Sequence, residues 1–186
     1  MKRIIIHWTA GTNKASALDK NHYHYIVEGD GNVVSGVFKP EDNADTKTPY
    51  AAHTRDMNTG SIGVSLAAMH GAVERPFSAG KYPITTKQVD AMARLCARLC
   101  DQYGIAVTRQ TVLTHAEVQP TLGVKQSGKW DITWLPGMTE AGNYHAVGDL
   151  LRQKIRDANK PAPVAAPSFL AALIAFIVSL FGKAKP

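Results

Sequence analysis

Two histidines follow short apolar runs and precede small or polar residues of the kind found in turns. His7 comes directly after three isoleucines in IIIHWTAG, and His115 ends the run TVLTH. Ligands of open α/β sheets bind where strands end, so both imidazoles are placed for a site. One histidine in such a place is more often structural, but two together favour a shared metal. Neutral imidazole is the usual zinc ligand, and a catalytic zinc takes three protein ligands and keeps one position open.

A third ligand is expected after His115, and the stretch SGKWDI offers Lys129 and Asp131. Side chains two residues apart in an extended chain point the same way. The carboxylate would bind the metal, and the ammonium would stabilise an oxyanion developing beside it. The alternative is a solvated surface pair worth about 0–1 kcal/mol, and the spacing alone fits both interpretations.

Two tryptophans lie next to these residues in the sequence. Trp8 follows His7, and Trp130 separates Lys129 from Asp131. Their indole rings would stack on a sugar or peptide group bound in a groove. The alternative is that both rings form only the hydrophobic wall of the site.

Short apolar runs alternate with helical patterns along the chain, which is typical of an α/β domain. The run at 61–69 is apolar enough for a central strand covered on both faces. Two β-rich runs around Gly29-Asp30-Gly31 predict a hairpin over residues 23–37. The other predicted strands cover residues 3–8 and 111–115.

The clearest helix is predicted over residues 85–104. Thr85 and Gln88 form a capping-box pattern at its start, and Gly104 is placed to end it. A last helix is predicted over about 139–158. Cys96 and Cys100 share one helical face, where two buried thiols are favoured over a disulfide or a metal site.

The end of the chain differs in composition from the rest. Residues 1–159 are predicted to form the catalytic domain, 160–167 a proline-alanine linker, and 168–186 a hydrophobic tail with a basic end. As a helix, the 15 residues of 168–182 would extend about 22 Å, short of the roughly 30 Å hydrocarbon core of a bilayer. Insertion into a membrane is favoured over packing on the domain or a partner, because a linker separates the segment from the core and two lysines follow it.

The net charge of +6 favours anionic partners. Neither a basic helix nor interleaved basic and aromatic residues are present, so the pattern argues against nucleic-acid binding. The start MKRIIIHW has a short apolar run without a small-residue cleavage site, so a cleaved secretory signal is not expected.

Seven short sequence stretches occur in the same order as in type 2 N-acetylmuramoyl-L-alanine amidases, and the chain resembles that family. That family shares its fold with peptidoglycan recognition proteins and amidase-type phage lysozymes. The resemblance spans about residues 3–137 and implies a central, mainly mixed β-sheet flanked by helices, to which the hydrophobic C-terminal helix would be appended. The stretches are IIIHWTAG, YHYIVEGDGNV, AAHT, SIGVSL, TTKQVDAMARLCARLCDQYGI, VLTHAEV and GKWDI.

The resemblance also implies a catalytic zinc ion, Zn2+, with three protein ligands, which are His7, His115 and Asp131. Lys129 matches the lysine that polarises the scissile carbonyl, and Tyr23 matches a tyrosine that orients the attacking water. His53 matches a position that lines the substrate groove, with structural support as the alternative. Many relatives have Pro-Gly directly after the aspartate. Here Pro136-Gly137 comes four residues later, so a different loop shape is expected.

The implied activity is hydrolysis of the amide bond between N-acetylmuramic acid and L-alanine in peptidoglycan, by a monomer. The tail and the expected lack of a cleaved signal favour a phage endolysin. It would be made in the host cytoplasm and act on the wall from the periplasm, with its tail on the membrane. The alternatives are a cytosolic recycling amidase and a non-catalytic peptidoglycan-binding module. The implied ligands and Lys129 are all present, which counts against a binding module.

Overall fold

A five-stranded mixed sheet forms the centre of the computed structural model, which describes residues 1–160. Its order is β3-β2-β4-β1-β5. Strands β2 and β3 pair antiparallel, and the other neighbours pair parallel. The strands are β1 (Arg3–Trp8), β2 (Tyr25–Val27), β3 (Val33–Ser35), β4 (Ser61–Leu66) and β5 (Val112–Thr114). The helices are α1 (Ala17–His22), α2 (Thr86–Tyr103), α3 (His115–Leu122) and α4 (Tyr144–Ala158), with a 3-10 turn at Pro40–Asn43.

Strand β1 lies between β4 and β5, so hydrogen bonds satisfy both of its edges. Ile4 is paired with Ile62 on one side and with Val112 on the other. Its three consecutive isoleucines are almost fully buried, as expected for a parallel strand with both faces covered. The predicted strand over residues 3–8 is therefore confirmed, and it carries His7 at its carboxyl end.

Helix α2 packs on the sheet through the apolar face that its periodicity predicts. Thr85 accepts a hydrogen bond from the backbone N–H of Gln88, and the Gln88 side chain bonds back to Thr85. Gly104 ends the helix in the left-handed conformation, with φ of 64°. Cys96 and Cys100 are both buried and free, which confirms the prediction of two core thiols.

Three parts of the fold differ from the sequence prediction. The hairpin is confirmed, but its strands are shorter, and Tyr23 caps the carboxyl end of the unpredicted helix α1. Helix α3 was not predicted because Pro120 lies inside it and Pro disfavours helix interiors. Helix α4 begins at Tyr144 rather than near 139, because the Asn143 side chain caps it by accepting from two backbone N–H groups.

The predicted linker and tail begin where the described residues end. The hydrophobic helix predicted within 168–186 lies outside them. Among the helices of residues 1–160, none has both the length and the apolar character needed to cross a bilayer.

Candidate active site

His7, His115 and Asp131 converge at one edge of the sheet, and all three are buried. The Nδ1 atoms of His7 and His115 are 3.0 Å apart. Asp131 Oδ2 lies 3.3 Å from His7 Nδ1 and 3.1 Å from His115 Nδ1. Two imidazole nitrogens and one carboxylate oxygen form a donor set that suits zinc, and three protein ligands are the number found in catalytic sites. The residues therefore fit the metal that the sequence predicts.

The sheet explains why these distant residues meet. Ile6 in β1 is paired with Thr114 in β5. His7 and His115 are the next residues after this pair, so they lie side by side at the same edge of the sheet. Asp131 comes from the loop after α3. Its backbone carbonyl accepts a 2.6 Å hydrogen bond from the N–H of Ala116, which ties this loop to the start of α3.

The outward-facing nitrogen of each histidine has a partner. His7 Nε2 lies 3.2 Å from His53 Nδ1 and 3.3 Å from Thr54 Oγ1. His115 Nε2 lies 3.0 Å from Gln126 Oε1. Partners of this kind fix the ring orientation of metal-ligating histidines. The sequence analysis did not identify Thr54 or Gln126, because neither residue has a spacing that links it to a histidine.

Electrostatics favour the protonation states that a cation needs. Burial, followed by the neighbouring His115, lowers the pKa of His7 to about 4. Burial alone would raise the pKa of Asp131, but hydrogen bonds with His115 and His7 hold it well below its usual range. At neutral pH the centre therefore combines a neutral His7 with an ionised Asp131.

Lys129 is exposed and lies where three clefts meet. The first, of about 300 Å³, is also lined by His53, Arg55 and Gln126. The second, of about 360 Å³, is lined by Arg75, Trp130 and Tyr144 among others. The third, of about 410 Å³, lies along α3. The charge of Lys129 also contributes to the low pKa of His7, so its ammonium group acts on the buried centre.

The remaining predicted residues surround this centre in different ways. The ring of Tyr23 is half-buried with its centroid 5.2 Å from that of His7. Burial and the charge of Asp131 raise the pKa of Tyr23, so its hydroxyl stays protonated at neutral pH. His53 lines a cleft and also contacts His7.

The two tryptophans have different exposures. Trp130 lines the second cleft, whereas Trp8 is only 7% exposed. Their rings pack edge to face with centroids 4.6 Å apart. Trp8 therefore packs behind Trp130, and of these two tryptophans Trp130 is the one that lines a cleft.

A buried ion pair joins α3, which begins at His115, to α4. Glu117 is fully buried and accepts hydrogen bonds from Arg152 at 2.7 and 2.9 Å. It also accepts from the backbone N–H of Thr114 at 2.9 Å. A Cβ atom at Gly148 would lie 2.2 Å from Glu117 Oε2, so α4 needs glycine there. These contacts hold the helix that presents His115.

Comparisons with known proteins identify a family and structures with a similar fold. The family model described as N-acetylmuramoyl-L-alanine amidase matches residues 1–137. Among solved structures, the hydrolase AmiA of Staphylococcus aureus, in complex with its ligand, has a TM-score of 0.51 at 16% identity. The match covers 85% of this chain and 75% of AmiA. At this identity, the similarity concerns the fold alone.

Two further structures have lower TM-scores. The endolysin of Thermus scotoductus MAT2119 bacteriophage Ph2119 has a TM-score of 0.49 at 16% identity, with 82% of this chain and 83% of that chain covered. The Escherichia coli N-acetylmuramyl-L-alanine amidase AmiD has a TM-score of 0.45 at 23% identity, with 62% and 48% covered. No curated protein sequence matches the chain.

Proposed function

Because the chain belongs to the N-acetylmuramoyl-L-alanine amidase family, we propose that it hydrolyses the amide between N-acetylmuramic acid and L-alanine with zinc held by His7, His115 and Asp131. The observation that carries this proposal is the convergence of their three donor atoms, which lie within 3.3 Å of one another beside a cleft lined by Lys129. We also propose that the chain acts as a monomer, since this site needs no residue from a second copy.

The chemistry divides between the metal and the side chains around it. When bound, zinc supplies a Lewis acid for the carbonyl and makes hydroxide available near neutral pH. Neutral His7 and ionised Asp131 offer their donor atoms without first losing a proton. The ammonium of Lys129 stabilises the negative charge that develops on the carbonyl oxygen. The protonated hydroxyl of Tyr23 orients the attacking water by hydrogen bonding, and Trp130 packs against the bound substrate.

The direct test compares zinc content and peptidoglycan turnover in the wild type and in Lys129→Met. We expect one zinc per chain and free amino ends of L-alanine from the wild type, with loss of turnover when a chelator removes the metal. Removing a group that stabilises a developing oxyanion costs about 100- to 1,000-fold in kcat. Lys129→Met should show that loss and keep its zinc, because Lys129 is not among the three converging donors.

The matched control is Lys125→Met, an exposed lysine four residues away on the same loop. It should keep both zinc and kcat. A wild type that binds zinc without turnover would indicate a peptidoglycan-binding module. A Lys129→Met variant with the kcat of the wild type would exclude the assigned role of Lys129.

For the biological setting, we propose host lysis by a phage endolysin that acts on the periplasmic wall, with its tail on the lipid surface. The apolar stretch 168–182 followed by Lys183 and Lys185 supports this proposal. Deletion of residues 161–186 should leave turnover of purified wall unchanged and reduce lysis of whole cells. Unchanged lysis would argue for a setting in which the tail has no role, such as wall recycling.

A further inference from the structure

Gln126 links His115 to the cleft wall that carries His53. Its side chain is buried, with 4% of the residue exposed. The side-chain amide nitrogen donates to the backbone carbonyl of Arg55 at 2.9 Å and to that of Val124 at 3.3 Å. Its amide oxygen lies 3.0 Å from His115 Nε2. The amide group is therefore held on both sides.

These contacts determine which ring nitrogen of His115 carries the hydrogen. Carbonyl oxygens only accept hydrogen bonds, so the two carbonyls fix the amide nitrogen of Gln126 on their side. The amide oxygen, which also only accepts, then faces His115 Nε2, and this nitrogen must carry the hydrogen. In a neutral imidazole the other nitrogen, Nδ1, is then unprotonated. Nδ1 is the atom that lies 3.1 Å from Asp131 Oδ2.

The partners of His7 do not impose such a choice. Thr54 has a hydroxyl that donates or accepts. His53 Nε2 lies 3.4 Å from the backbone carbonyl of Ser61, so a neutral His53 accepts at Nδ1, either from Thr54 or from His7. Thr54 Oγ1 is 2.8 Å from His53 Nδ1 and 3.3 Å from His7 Nε2, so the three groups can share protons in more than one way. Gln126 differs because its amide oxygen can only accept from His115, whereas the Thr54 hydroxyl can donate to His7 or accept from it.

We propose that Gln126 is a positioning residue that presents the unprotonated Nδ1 of His115 to the metal and fixes the rotation of the ring. This inference rests on the proposed function, since it takes His115 as a zinc ligand. Loss of such a partner typically weakens metal affinity about 10- to 100-fold. Gln126 also connects His115 to the backbone of Arg55, so the metal centre and one cleft wall are held as a unit.

The test is the zinc affinity of the full chain, measured by competition with a chelator. Gln126→Met, which removes the acceptor, should weaken zinc binding about 10- to 100-fold. Gln126→Glu keeps an oxygen that accepts from Nε2 but loses both donors to the carbonyls. We expect Gln126→Glu to bind zinc at least as tightly as the wild type, although it unfolds at a lower temperature.

Gln88→Met is the matched control. Gln88 is fully buried in α2, and its amide also donates to two backbone carbonyls, those of Val27 and Ala67. This variant should lose stability comparably and keep wild-type zinc affinity. Thermal unfolding of each metal-free protein measures the structural cost separately. Should Gln126→Met fail to fold, Gln126→Asn replaces it, because the shorter side chain withdraws the oxygen from Nε2.

Two results would overturn the inference. One is wild-type zinc affinity in the variant that lacks the acceptor. The other is equal weakening in Gln126→Glu and Gln126→Met, which would show that only packing matters. A wild type that binds no zinc would instead refute the proposed function, and the inference with it.

Discussion

His115→Ala is expected to abolish both zinc binding and turnover of peptidoglycan. The substitution leaves two of the three converging donor atoms, those of His7 and Asp131, and catalytic zinc sites are held by three protein ligands. It also leaves the buried oxygen of Gln126 without its histidine partner, which costs about 1–3 kcal/mol of folding free energy. Zinc content per chain and release of free amino ends of L-alanine are the two measurements.

The control for this prediction is His70→Ala. His70 is exposed and comes from the loop after β4 rather than from the centre, so its loss should change neither zinc content nor turnover. A folded His115→Ala variant that still bound one zinc per chain would contradict the assignment of His115 as a ligand.

Arg152→Met is expected to cause the largest loss of stability. The guanidinium of Arg152 donates to both carboxylate oxygens of Glu117 and to the backbone carbonyl of Val112. The substitution leaves the fully buried Glu117 without this cation, and breaking a buried ion pair in this way costs about 3–5 kcal/mol. For a chain of this size, that corresponds to a fall in Tm of about 6–20 °C.

Lys154→Met is a matched control on the same helix. Lys154 forms a 2.9 Å ion pair with Asp90, but both side chains are nearly half exposed. Exposed pairs contribute about 0–1 kcal/mol, so Tm should change little. Thermal unfolding of both metal-free variants makes the comparison, and equal shifts would show that burial of the Glu117–Arg152 pair adds nothing to its strength.

The parts of the fold that were predicted from the sequence have strong local signals. Three consecutive isoleucines before His7 indicate a strand with both faces covered, and β1 is that strand. The helix predicted over 85–104 is confirmed as Thr86–Tyr103, because Thr85 and Gly104 mark its two ends. The prediction that His7, His115 and Asp131 share a site agrees with their convergence. The two histidines meet because β1 and β5 end side by side, whereas Asp131 comes from the loop after α3.

The parts that were not predicted depend on contacts between distant residues. The Glu117–Arg152 pair joins positions 35 residues apart, and no periodicity relates two such charges. Gln126 contacts the backbone of Arg55, 71 positions earlier, and a glutamine in a loop resembles any solvated polar residue until the fold buries it. Pro120 suggests the end of a helix, but α3 continues through it to Leu122.

The central position of β1 has a consequence for biosynthesis. Strand β1 is translated about 100 residues before its partner β5 and the second histidine of the centre, since His7 and His115 are 108 positions apart. At roughly 5–20 residues per second, the ribosome takes about 5 to 20 s to supply them. Until then, the nascent isoleucine strand has at least one unpaired edge, which is a template for aggregation. The three donor atoms of the centre therefore cannot converge until Asp131 has been translated, and β1 must escape aggregation until its partners are available.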